Sequence, residues 1–389
     1  MREQAWQRFR SSGRQRGGRR RAVLVAATVA LGVMTLGVLA PPPASAAARP
    51  DTVQQGLNAL VRTDGLPAAL AGVNDREGRT RTYTAGVGDL ATEARVPADG
   101  QVRIGSNTKT FTAVVVLQLV GEGKIGLDAT VDTYLPGVVR GKGIDGRRIS
   151  VRQLLQHTSG LPEYEDRVVD GILQHRYFEP RDLLDIAFQR KAEFSPGTEW
   201  AYSNTNYVVA GLIVQKVTGR PLAEEVDRRV IKRIGLRHTY FPAPGDMTIR
   251  EPHPTGYHRD SADAPPRDVT EIDPSAGWAA GQMISTNSDL NRFFTGLLTG
   301  RLLPAAQLKQ MRTTVPVGDT GVGYGLGLMS RPLSCGGVYW GHGGDIPGYE
   351  TRGGATDDGR AAAVAVTSIP TDGAATQHLD GVVDAALCR

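Results

Sequence analysis

The chain has 389 residues, 40% of them hydrophobic and 22% charged, an ordinary globular composition long enough for a large core and two structural units. Its formal net charge of +5 sits at the front: residues 1–46 carry eight Arg and one Glu, which leaves −2 on the remainder. No concentrated basic stripe follows, so the electrostatic footprint of a nucleic-acid binder is missing and no nucleic-acid partner is expected.

Residues 1–46 read as an export signal. A long basic stretch ending in Arg19-Arg20-Arg21 precedes the apolar run Ala22 to Ala40 and the small-residue site Ala44-Ser45-Ala46. Cleavage would leave a secreted chain beginning near Ala47, and Arg20-Arg21-Ala22-Val23-Leu24 also fits twin-arginine export of a folded protein. The alternative is an uncleaved membrane anchor, since the apolar run just spans a bilayer. The Ala, Gly and Thr content and the Pro41-Pro42-Pro43 breaker favour cleavage.

A helix is predicted from Asp51 to Arg62, then a hairpin of Ala68 to Val73 and Arg81 to Gly86 around a polar turn. Ser106 to Val120 is almost wholly apolar beyond Thr110, which predicts a helix buried on all sides and closed by Gly121 and Gly123. From Leu127 to about Pro265 the pattern is helical with Pro and Gly breaks, over Val151 to Gln156, Pro180 to Gln189, Asn204 to Thr218 and Leu222 to Ile231. Pro242 to Asp268 reads as a long surface excursion. The C-terminal part supplies Gly277 to Ser285, a helix from Ser288 to Leu298, strands around Val338 to Trp340 and Ala361 to Thr367, and a closing helix from Ala374 to Leu387. The fold class is α+β. Residues 47–126 and 269–389 make a sheet domain built from both ends, 127–268 a mostly helical domain, and the cleft between them is the expected active site.

Three short pieces fit one chemical task. In Ser106-Asn107-Thr108-Lys109 the first and last side chains lie one turn apart on one helix face, which sets an amine beside a hydroxyl. Serine is a weak nucleophile until a neighbour takes its proton, and a Lys in a dry cleft can have its pKa lowered enough to help. The chain uses Arg 38 times and Lys 7 times, and Arg could not accept that proton. Tyr202-Ser203-Asn204 leads from a turn into a helix, which suits a projecting phenol able to move a proton and an Asn able to bind a substrate amide. Ser203 reads as a helix cap. His342-Gly343-Gly344-Asp345 follows an apolar strand, and its glycines allow close backbone approach, with the Asp345 N–H set to face that of Ser106 across an oxyanion. Taken singly, each piece has a bland reading as a cap or strand-end turn. A zinc site is disfavoured, because His253 and His258 lie in a Pro-rich loop and no H-E-x-x-H spacing exists. Cys335 and Cys388, an isolated even pair in an oxidising compartment, are expected to form one disulfide.

With these residues in place, the chain resembles the serine β-lactamase-like family, in its class C and secreted D-alanyl-D-alanine carboxypeptidase branch. The resemblance runs through Leu117 to Pro136, Val151 to Leu161, Tyr202 to Gly211, Gly323 to Leu328 and the cysteine pair. It implies the β-lactamase/transpeptidase-like fold, an antiparallel sheet flanked by helices plus a mostly helical second domain. It also implies Ser106 as acylated nucleophile, Lys109 as its proton partner, Tyr202 as general base and then acid, and Asn204 and Gly344 as substrate contacts. His342 stands in for the family's third-motif cation, and the N–H groups of Ser106 and Asp345 form the oxyanion hole. His157-Thr158-Ser159-Gly160 matches too and reads as structural. No metal or organic cofactor is implied.

Two departures bear on substrate. Met329 stands where the secreted carboxypeptidases place an Arg for the terminal carboxylate, leaving Arg331, two positions on, or Arg352 to compensate. Asp345 replaces a hydroxyl residue and would repel a carboxylate. The expectation is a secreted, monomeric serine hydrolase, a D-alanyl-D-alanine carboxypeptidase acting on cell-wall peptides and taking β-lactams as covalent ligands. The alternatives are an esterase, β-lactamase or D-amino-acid amidase on the same machinery, or a catalytically silent wall- or penicillin-binding protein.

Overall fold

The computed structural model describes residues 51–261 and 263–389, so the export signal expected over residues 1–46 lies outside the described residues. The first element is helix α1 (Thr52–Arg62), capped by the Asp51 carboxylate, which accepts the Val53 and Gln54 amides. The hairpin of β1 (Ala68–Asn74) and β2 (Thr80–Gly86) follows. Helix α2 (Asn107–Gly121) is buried from Asn107 through Leu119, as its uninterrupted apolar sequence predicts.

The middle of the chain contributes α3 (Val151–Gln156), α4 (Pro180–Ala187) and α5 (Thr205–Thr218), the last ended by Gly219 in the left-handed region. The return path supplies α6 (Asn287–Leu298) and α7 (Ala305–Met311). After them come strands β3 (Val315–Pro316), β4 (Gly323–Tyr324), β5 (Met329–Pro332), β6 (Val338–Ile346), β7 (Tyr349–Ala355) and β8 (Ala361–Val366), and then helix α8 (Gly373–Leu387).

The eight strands form one antiparallel sheet in the order β2-β1-β8-β7-β6-β5-β4-β3, in which β1 pairs with β8, Leu70 opposite Ala365. Both ends of the chain therefore build the same sheet. Alternate residues face opposite layers. On one face Ala362, Val364 and Val366 pack under α1 and α8 with Val53, Leu57, Leu379 and Val383. On the other, Leu70, Ala363 and Ala365 join the larger core that holds α2 and α6, where the Phe111 and Phe293 rings stack with centroids 3.7 Å apart. Cys335, between β5 and β6, is bonded to Cys388 at the end of α8 with Cα atoms 5.7 Å apart. No helix among the described residues is long and apolar enough to cross a membrane.

Three features depart from the sequence-based expectation. His342-Gly343-Gly344-Asp345 is not a strand-end turn: β6 runs on through it to Ile346 and pairs with β7, Gly344 opposite Thr351. β7 is hard to read in sequence because it buries Glu350 and Arg352 and includes Gly353 and Gly354. The helix expected over Leu222 to Ile231 continues to Ile234 through a π-helical turn at Asp227–Ile231.

Candidate active site

The fold brings all three pieces together where α2, α5 and β6 converge. Ser106 immediately precedes α2, and Lys109 lies one turn in, fully buried. Lys109 Nζ has three polar neighbours: Ser106 Oγ at 2.8 Å, Asn204 Oδ1 at 2.6 Å and Ala280 O at 2.9 Å. Two of these oxygens can only accept, so two N–H bonds are committed to Asn204 and Ala280. The third tetrahedral position faces Ser106 Oγ. It carries a hydrogen when the group is ammonium and a lone pair when it is amine.

Burial lowers the Lys109 pKa to about 7, against the opposing charges of Glu165, Glu163 and Asp345, so the amine is populated near neutrality. The amine can then accept the proton of Ser106. The Ala280 carbonyl comes from the four-residue helix Trp278–Gly281, whose first residue has φ 31°, a strained value for a non-glycine.

Tyr202 hydrogen-bonds Ser106 through its side chain, and Lys109 Nζ sits 4.7 Å from its ring centroid. Burial pushes its phenol well above the ordinary range, so it rests protonated. The lone pair available at neutral pH is on Lys109 rather than on a Tyr202 phenolate. Behind the phenol, His157 stacks at 4.2 Å and 27°.

The other half of the site is the backbone of β6. A Cβ added to Gly344 would lie 2.0 Å from Ile104 O and 2.7 Å from Ser106 N, and one on Gly105 would lie 2.8 Å from Asp345 N. Only glycine at these positions lets the strand approach the start of α2 closely enough to bring the Ser106 and Asp345 amides together.

Several expected side-chain roles look different in three dimensions. Asn204 occupies the N-cap position of α5 without a side-chain capping hydrogen bond, and its amide is engaged at both ends, by Lys109 at Oδ1 and by Glu165 Oε2 at 3.0 Å from Nδ2. Ser203 is not the cap and donates instead to Pro162 O. His342 is not a cation: burial, reinforced by the Lys109 charge, holds its imidazole at about 3, neutral at physiological pH. Arg331 and Arg352 do not face Ser106. Arg331 pairs with Asp380 of α8 at 3.0 Å, and Arg352 pairs with Asp345 at 2.7 Å and Glu350 at 2.5 Å, on the sheet face opposite α2. Met329 packs with Val317, Val322 and Tyr324, against which Trp200 and Tyr202 rest.

The site also contains two carboxylates that sequence reasoning passed over. Glu163 accepts the backbone amides of Tyr164, Glu165 and Asn204, so its oxygens are spent on local structure. Glu165 is different, since one side-chain amide is the only hydrogen bond it receives among the described residues. Burial and the neighbouring Glu163 raise its pKa to about 7. The signal in sequence was a pair of acids, in Pro162-Glu163-Tyr164-Glu165, directly after an apolar and glycine-containing stretch.

The chain as a whole has counterparts among known proteins. The Beta-lactamase family profile matches residues 52–387. The chain belongs to the beta-lactamase family. Within it, a D-stereospecific amidohydrolase from Streptomyces sp. has 43% sequence identity and a TM-score of 0.79, covering 85% of this chain and 97% of that one. The D-amino acid amidase of Ochrobactrum anthropi SV3, crystallised with L-phenylalanine amide, gives 26% identity and a TM-score of 0.76 over 86% of this chain and 97% of that one. A Salmonella paratyphi A protein named as a D-alanyl-D-alanine carboxypeptidase is 31% identical over 159 residues, 39% of this chain and 36% of that protein. The chain spans about a third to a half of the length of the curated relatives it matches. The fold is that of the beta-lactamase/transpeptidase proteins, with relatives named as hydrolases.

Proposed function

We propose that this beta-lactamase family member is an exported serine amidohydrolase that forms an acyl-enzyme at Ser106 and cleaves D-amino-acyl amides, esters or short peptides whose leaving side carries no carboxylate. The observation that carries this reading is the charge around the nucleophile. Met329 is apolar, His342 is neutral and both candidate arginines are paired behind the sheet, so among the described residues named at the site only Lys109 offers a cation, while Glu165 offers a carboxylate. That environment suits a substrate with a free ammonium and a neutral leaving group better than one ending in carboxylate. The resemblance to the Streptomyces amidohydrolase supports the same choice.

In the proposed reaction the Lys109 amine takes the Ser106 proton as Oγ attacks the carbonyl carbon. The Ser106 and Asp345 amides receive the oxyanion, and the Tyr202 hydroxyl hands a proton to the leaving amine and recovers one from Lys109. Water then repeats the sequence on the ester, which releases the D-acid and restores Ser106. Export agrees with the Cys335–Cys388 disulfide, a bond favoured in oxidising compartments.

The deciding experiment compares kcat/KM for D-phenylalanine amide, its L enantiomer and an acylated D-Ala-D-Ala peptide, with intact-mass detection of the Ser106 adduct. The expected order is D-amide first by at least tenfold. Faster cleavage of the carboxylate-ended peptide would replace this reading with the carboxypeptidase one, and turnover by Ser106→Ala would remove both.

A further inference from the structure

Three buried rings behind the nucleophile form a directional hydrogen-bond chain. His157 Nδ1 receives two donors at 3.2 Å, the Ser203 amide and Asn206 Nδ2. Its proton therefore sits on Nε2, 3.1 Å from the Tyr324 hydroxyl. At the other end, His342 Nδ1 lies 2.6 Å from Gly343 O, an oxygen that only accepts, so the His342 proton is on Nδ1. Its Nε2 presents a lone pair 3.0 Å from the same Tyr324 hydroxyl. Tyr324 is fully buried, and its oxygen accepts from one histidine and donates to the other.

We infer that Tyr324 is a positioning residue that fixes His157 and His342 as opposite neutral tautomers, which keeps the third-motif histidine an uncharged hydrogen-bond acceptor beside the nucleophile. Two consequences follow from the contacts. His157, held flat by this chain, braces the Tyr202 ring at 4.2 Å. His342, tied to the Gly343 carbonyl, fixes the β6 peptide that precedes Gly344 and Asp345. The charged and titratable groups around His342 are Lys109 on α2, Arg331 on β5, Arg352 on β7, and the phenols Tyr202 and Tyr324. The three cations all oppose its protonation. The Tyr207 hydroxyl is a further hydrogen-bond partner of Tyr324 and donates its own proton to Leu155 O at 2.9 Å.

The tautomers do not depend on the amidohydrolase reading; their effect on substrate choice rests on it. The test is two-bond proton–nitrogen correlation NMR on purified protein with 15N-labelled histidine, the His157 and His342 signals being assigned with His157→Gln and His342→Gln. The expected result is His342 in the Nδ1–H form and His157 in the Nε2–H form throughout pH 5.5 to 8. In Tyr324→Phe, His342 should lose that fixed form and kcat on D-phenylalanine amide should fall about tenfold with little change in KM, as expected when an interaction of the reacting state is lost. A protonated or Nε2–H His342 in the unaltered protein overturns the inference, even if Tyr324→Phe fails to fold. So does a Tyr324→Phe variant with both tautomers and kcat unchanged. Loss of all activity in the unaltered protein, with the tautomers as stated, would count against the proposed function alone.

Discussion

Asn204 Oδ1 stands 2.6 Å from Lys109 Nζ, and the other end of the same amide meets Glu165. The amide thus links the amine beside Ser106 to a carboxylate and aims the third position of Nζ at Ser106 Oγ. Lys109→Arg should therefore be far worse than its conserved charge suggests. A guanidinium cannot give up its proton in a protein, and its planar fork does not fit a tetrahedral three-acceptor site. We expect a fall in kcat of about 10³-fold, within the range for lost general base catalysis, with the fold retained by melting temperature. A loss under tenfold in steady-state assays would mean that another group takes the Ser106 proton.

The Lys109–Glu165 pair also sets the pH response. In the proposed reaction acylation needs the amine, so activity should rise with pH through about 7, where burial has brought the Lys109 pKa. Glu165 opposes that lowering with its negative charge. Glu165→Gln removes the charge, so Lys109 should lose its proton more readily and the acid limb of the kcat/KM profile should move to lower pH. A pH–rate profile of both proteins checks the sign, and a shift to higher pH would refute the coupling.

The same substitution makes a stability prediction. The Glu165 carboxyl is raised to about 7, above its unfolded value, so its burial costs nothing below about pH 4 and destabilises progressively as pH rises through 7. Glu165→Gln should therefore stabilise the protein at pH 8, on the order of 3 kcal/mol for a shift from 4.5 to about 7, and be neutral at pH 4. Denaturant melts at the two pH values measure this directly. Equal effects at both would mean that the carboxylate is solvated in the native state.

The sheet hairpin, the buried α2 and the paired cysteines could be read from sequence because each rests on a local pattern: alternation, an uninterrupted apolar run, an isolated even pair. Ser106, Lys109, Tyr202 and the β6 glycines could be singled out because their spacing carries chemistry. The surroundings could not. Whether Arg331 and Arg352 face the cleft depends on strand parity and on Asp380, dozens of residues away in α8. The neutrality of His342 depends on burial and on the Lys109 charge, and Glu165 reaches the site only because α5 places Asn204 against it. Long-range partners decide charge and direction, and sequence spacing holds no record of them.

Cys335–Cys388 closes a loop with a sequence separation of 53. Loop-closure entropy for that length is worth about 4 kcal/mol. The bond ties the β5–β6 connection to α8, on the sheet face away from Ser106. Replacing both cysteines by Ser should lower the melting temperature by several degrees while leaving kcat on the best amide within about twofold, since a distant change adds independently. Calorimetry alongside steady-state kinetics separates the two effects, and a large loss of kcat would show that α8 helps hold β6 in place.

Met329 provides the sharpest test of substrate choice. It packs against Tyr324, Val317 and Val322 in the cluster that Trp200 and Tyr202 cover, 5% exposed. Met329→Arg would put a cation into that wall, at some cost in stability because the guanidinium loses water in an apolar neighbourhood. If the absence of a cation there is what disfavours carboxylate-ended peptides, the ratio of kcat/KM for an acylated D-Ala-D-Ala peptide over its C-terminal amide should rise about tenfold, the worth of one charge-assisted hydrogen bond. The ratio is the quantity to measure, since destabilisation lowers both terms together. An unchanged ratio in a folded variant would mean that this wall does not meet the leaving side of the substrate, and that the selection is made elsewhere, with Glu165 the next residue to change.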